Sequence, residues 1–139
     1  MKALIVDEPW IGLILRGDKT WEMRKTGCSH RGEIALIRKG SGHVVGIARV
    51  TDSRPHLATI EAYAEAEPFH RIPVERQQKA FADGWRVPWV LADARPLPQP
   101  VAYRHPSGAV IWVNLLPDVV ARIRSQVAGA PPDGLDGET

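Results

Sequence analysis

Lys19, Glu22 and Arg24 fall within six positions of one another in the stretch GDKTWEMRK, residues 17–25. An arginine fork there could take a phosphate or a base edge, and it keeps its charge at any working pH. A lysine close to that cation feels like-charge repulsion and is expected to titrate nearer neutrality, where its amine could act as a base. Glu22 lies between the two cations, could orient a water or a ligand N–H, and offsets their charge while no ligand is bound. The same spacing on an exposed strand would be a surface ion pair, which contributes little. The elements around it must decide.

Residues 3–6 (Ala-Leu-Ile-Val) read as a short buried strand. Asp7 is expected to cap a following helix, with Pro9 in its first turn and Ile11, Ile14 and Leu15 as its apolar stripe. Gly17-Asp18 turns the chain into a strand over 20–25. Period-two alternation there puts Trp21 and Met23 on one face, predicted core, and Thr20, Glu22 and Arg24 on the other. Lys19 has the wrong parity for that polar face and joins it only through the turn. Trp10, which opens the helix beside the motif, is the best stacking candidate.

Runs at 32–38 and 43–51, joined by KGSGH, form a hairpin signal. Residues 59–66 and 73–83 look helical. Apolar runs follow near 87–94, 100–103 and 109–115, separated by Pro-rich and HPSG turns, and Pro117-Asp118 opens a last helix. The tail from Gly129 has nothing to bury, so residues 1–128 are expected to form the domain and 129–139 a disordered tail. Several strands around one interior, with helices between them, predict a small barrel-like α+β domain.

Length and composition bound the rest. A chain of 139 residues fits one domain and needs neither disulfide nor structural metal to fold. Cys28 is the only cysteine, so no intrachain disulfide can form, which favours a reducing compartment. The first apolar run is too short for a secretory signal, and no stretch could span a bilayer. A cytoplasmic protein with no membrane association is expected, a monomer by default. The net charge of +2 is small, but through residue 54 there are 10 Lys and Arg against 6 Asp and Glu, and beyond it 8 against 10. The N-terminal part carries the positive field that would steer an anionic partner.

Other constellations are weaker. RKGSGHVV sets Arg38, Lys39 and His43 around two glycines, but it leads into a strand, so it reads as a hairpin whose basic flanks could touch phosphate. Of the aromatics, Trp21, Trp89 and Trp112 are predicted core. Trp85 could supply stacking surface, and Tyr103 is kept as a ligand contact. His30, His43, His56, His70 and His105 are scattered and Cys28 lacks a partner at ligand spacing, so neither metal nor cofactor is expected.

PW, an apolar helix, GDKTWEMR and RGEIALI together resemble the ASCH domain family, whose motif is G-x-K-x-x-E-x-R. WVLADARPLPQPVAYRHPSGAVIWVNL is similar to that family's C-terminal half, and the resemblance runs from about residue 3 to 116. It implies a PUA-like β-barrel with an N-terminal helix, inserted helices and a C-terminal helix, whose first helix and motif strand line a cleft associated with RNA. Three functions are then open: a module that binds single-stranded RNA or a nucleoside-like ligand, an amidohydrolase of N4-acylated cytidines, and a single-strand ribonuclease. The amidohydrolase branch uses the motif lysine and a threonine three residues later, where this chain has Glu22. If there is catalysis, Lys19 and Glu22 are expected to carry it. The implied contacts are Trp10, Lys19, Thr20, Glu22, Arg24, Arg38, Lys39 and Tyr103.

Overall fold

The computed structural model describes residues 1–128; the tail expected at 129–139 lies outside the described residues. In chain order the elements are β1 (Lys2–Val6), α1 (Trp10–Leu15), β2 (Trp21–Arg24), β3 (Gly32–Arg38), β4 (His43–Ser53), α2 (Ile60–Glu65), α3 (Glu67–His70), α4 (Val74–Ala82), β5 (Val87–Ala102), β6 (Trp112–Asn114) and α5 (Pro117–Ala128). The strands make one mixed sheet in the order β2-β5-β4-β3-β1-β6, an α+β barrel-like arrangement. Among the described residues only β1 and β3 run parallel; the other pairs are antiparallel.

Alternation along β1 explains where the core sits. Ala3 and Ile5 face one side, joining Ile37, Val44, Val113 and the α5 residues Val119 and Ile123. Leu4 and Val6 face the other, against Ile11 and Ile14 of α1 and Trp89 of β5. A third apolar group holds Met23 against Tyr63 and Ile72, seating the helical segment α2–α4 on the motif strand. At Gly46 the sheet packs closely against Leu15 of α1. A β-carbon there would lie 2.3 Å from Leu15 Cδ2 and 2.8 Å from the Arg95 carbonyl oxygen, so only glycine admits the approach.

Several local expectations need correction. The Asp7 carboxylate does not cap α1; it accepts from the N–H of Glu8 at 2.8 Å, and only the Asp7 backbone carbonyl receives Ile11 N–H, at 3.0 Å. Pro9 occupies the cap position itself. The runs at 87–94 and 100–103 are one strand of 16 residues. Pro96, Pro98 and Pro100 alternate, so their missing N–H groups share one edge. Gln99 between them is tied to α5 instead, donating to Gln126 Oε1 and accepting from Gln126 Nε2, both at 2.9 Å. Trp89 is core, but Trp21 and Trp112 are only half-buried. Trp112 stacks on Trp89 with Lys2 over its ring; Trp21 stacks on Phe69 with Arg54 over it.

Candidate functional site

The motif strand is an edge of the sheet, paired through Glu22↔Trp89 and Arg24↔Val87 to β5. Its polar face is not turned to water. Lys19 is 2 % exposed and Glu22 6 %, because α2–α4 folds over the start of β2 while the Arg24 guanidinium covers its other end. Glu22 Oε2 accepts from Arg24 Nε at 2.9 Å and pairs with Arg24 Nη2 at 2.8 Å, while its Oε1 lies 3.8 Å from Lys19 Nζ. Arg24 Nη2 also donates to the Ile5 carbonyl at 2.9 Å, and the guanidinium lies over Trp89, 5.5 Å from the ring centroid. Lys19 Nζ donates to the His70 carbonyl at 2.6 Å and sits 5.1 Å from the Trp10 centroid. Two cations and one carboxylate thus share a largely dry corner.

That corner sets the lysine's titration. Burial pushes Lys19 down to about 8; Glu22 pulls the other way, and Arg24 adds a smaller downward push. The lowering predicted from the sequence is present, but desolvation is its main cause rather than repulsion by Arg24. His70, fully buried, accepts Ile72 N–H on Nδ1 at 2.9 Å. Nε2 therefore carries the proton and donates to the Tyr63 carbonyl at 2.7 Å. Burial lowers the imidazole's pKa, in keeping with a neutral ring. Tyr63 in turn donates to the Trp85 carbonyl at 2.7 Å. The carbonyl that holds Lys19 is itself fixed by this chain of bonds.

Lys19, Glu22 and Arg24 open onto a cleft of about 700 Å³, between β2, α1, α4 and the segment before β6. This is an ordinary size for a small-ligand site. Trp10, half-buried, stands on its wall, and Lys39 reaches its mouth, 4.0 Å from Asp7. The other expected contacts lie elsewhere. Thr20 does not line the cleft; its backbone is spent on Phe69 and Leu91. Arg38 is engaged by Glu8. Tyr103 belongs to a separate hollow of about 350 Å³, where its hydroxyl meets His105 Nδ1 at 2.7 Å. Sequence reasoning passed over Lys25, Arg76 and Lys79, which all line the cleft. The available signal was the three-residue spacing of Arg76 and Lys79, which places both on one helix face.

Among the described residues no group of three or more His, Cys, Asp or Glu side chains is placed to hold a metal ion. None of their helices is long and apolar enough to cross a membrane.

The ASCH domain family model matches residues 4–100, well over half of the chain. The chain belongs to the ASCH domain family. Solved ASCH structures share its fold: ASCH from Zymomonas mobilis superposes with a TM-score of 0.66 at 13% sequence identity, covering 89% of this chain and 93% of that one. A tyrosine-to-phenylalanine mutant of the Z. mobilis protein gives 0.66 at 13% identity over 89% and 96% of the two chains. A serine-to-alanine mutant gives 0.65 at 13% over 89% and 94%. No curated protein matches the chain. The α+β barrel-like fold expected from the motif is therefore the fold of this ASCH domain.

Proposed function

We propose that this ASCH domain binds single-stranded RNA or a nucleoside-like piece of it in the cleft beside β2, with Lys19, Glu22 and Arg24 as its floor. The observation that carries this reading is the buried Lys19–Glu22–Arg24 array open to a cleft with an indole on its wall. Charged groups withdrawn from water are costly for stability, so a fold that keeps them at the floor of an open cleft has a use for them there. A carboxylate held by two cations presents fixed hydrogen-bonding edges to a base, and Trp10 offers it a flat face.

A second reading is hydrolysis, supported by Lys19 itself. With its pKa brought to about 8, half of the amine is neutral at that pH and able to take a proton from an attacking water. In amide hydrolysis the water oxygen bonds to the acyl carbon, the C–N bond breaks, and the proton passes to the departing cytosine amine. Glu22 stands where the amidohydrolase branch has its threonine, so water rather than a side-chain hydroxyl would be the nucleophile.

One experiment addresses both. The purified chain is titrated with nucleosides, N4-acetylcytidine and short single-stranded RNA by calorimetry, and each mixture is then read for products by mass spectrometry. Trp10→Leu should weaken binding by roughly tenfold or more, the usual value of one stacked base, with the fold intact. Unchanged affinity in that variant would overturn the placement of the ligand. Product formed by the native chain and lost in Lys19→Met selects the hydrolytic reading; binding without product selects the binding module.

A further inference from the structure

Four cations ring the mouth of the cleft: Lys25, Lys39, Arg76 and Lys79. They are not equivalent. Lys39 faces Asp7 at 4.0 Å, and Lys79 is held by Asp83 at 2.9 Å, so both are partly neutralised. Lys25 and Arg76 have no carboxylate within ion-pair distance among the described residues. Each rests on an indole instead: Lys25 Nζ is 4.9 Å from the centroid of Trp85, and the Arg76 guanidinium is 5.4 Å from that of Trp10. Both are exposed. Glu75 is the remaining acid of the rim, so these two cations still leave the mouth positive.

The two indole-borne cations stand at opposite ends of the motif. Trp10 also carries Lys19, at the start of the β2 segment, whereas Lys25 directly follows its end. Six residues of near-extended chain separate Lys19 from Lys25, up to about 20 Å at roughly 3.3 Å per residue. Two separate cation posts on two different indoles call for two anions, which a short run of strand supplies and a free nucleoside does not. An indole face leaves the cation's donors directed outward and holds the side chain in place, so each post meets an anion with little further ordering.

We infer that the cleft takes its ligand as a short single strand of RNA, with one backbone phosphate on Arg76 beside Trp10 and another on Lys25 beside Trp85. This rests on the reading that a base occupies the cleft floor. It deepens that reading by choosing a strand over a free nucleoside and by naming two positions that hold its phosphates.

The test compares a nucleoside, its monophosphate and a trinucleotide of single-stranded RNA as ligands of the intact chain, across a salt series. The trinucleotide should bind best, with a log–log salt slope of about −1.4 for two phosphate contacts on a single strand. Lys25→Gln and Arg76→Gln should each halve that slope, and Lys25→Gln, away from the Trp10 face, should leave nucleoside binding unchanged. Lys2→Gln, which removes a cation resting on Trp112 away from the cleft, should leave the slope as it was. Nucleoside binding as tight as trinucleotide binding, or a slope untouched in both cleft variants, would overturn the two posts while base binding at the floor stands. Failure of all three ligands to bind would overturn the binding reading itself.

Discussion

The cleft beside β2 and the hollow beside Tyr103 both contain polar side chains, but only the first holds charge out of water. Around Tyr103 the groups lie at the surface: His105 is exposed and bridges the Tyr103 hydroxyl to the Ala109 carbonyl, at 2.7 and 2.9 Å. Nothing there would be costly to leave without a ligand. At the cleft floor, Lys19, Glu22 and Arg24 share one carboxylate between two cations, and Lys19 needs a backbone carbonyl to complete its partners. The first arrangement is a surface network closing a turn. The second is a local sacrifice of stability, which identifies the cleft as the candidate site.

The sharpest way to break this contrast is to remove the shared carboxylate. Glu22→Gln keeps the shape but leaves two buried cations facing each other, and unfolding should become easier by about 3 kcal/mol or more, since breaking a buried ion pair costs about 3–5 kcal/mol. Denaturant melts check it; a loss below about 1 kcal/mol, the value of a surface pair, would make the floor no different from Lys79–Asp83.

Next in size is the response to pH. Below about pH 8 Lys19 is protonated in both folded and unfolded chains, so the penalty for burying its charge is fully felt. Between about 8 and 10.5 the folded chain has released that proton while the unfolded chain still holds it, so stability climbs with pH and levels off above. The gain is about 3 kcal/mol relative to Lys19→Met over that window. Tyr63, pushed up to about 12 by burial, works in the opposite direction above pH 10, and the comparison with Lys19→Met cancels it. A pH-independent difference between the two proteins would mean that Lys19 is not desolvated.

The smallest expected effect sharpens the other side. Tyr103→Phe should cost at most about 1 kcal/mol, the net worth of one exposed hydrogen bond, and leave RNA affinity unchanged. A tenfold loss of affinity would bring the second hollow into the site.

The contrast was only half legible in the sequence. Period-two alternation sorted Trp21 and Met23 from Glu22 and Arg24, and the glycines of KGSGH marked the turn between β3 and β4. What alternation cannot convey is which face meets water. Spacing alone leaves an exposed ion pair and a cleft floor both open, and it is a segment nearly fifty residues later that folds over Lys19 and dries it. Alternation likewise places Trp21 beside Met23 in the core, yet Trp21 is half-buried, stacked on Phe69 of that segment. Arg76 and Lys79 were passed over because α4 is far from the motif along the chain. Tyr103 was linked to the site by residue type alone, with no spacing to support it.

The bond from Lys19 Nζ to the His70 carbonyl joins residues 51 positions apart and makes the site a mechanical part of the fold. His70 ends α3, and Arg71 after it turns back in the left-handed region at φ 61°. The ammonium has three N–H donors, so a ligand can take one while the carbonyl keeps another, and occupying the cleft then ties the ligand to this corner. Conversely, whatever stiffens the corner pre-sets the ammonium's aim. Occupancy of the cleft and local opening at residues 67–72 therefore draw on a single equilibrium.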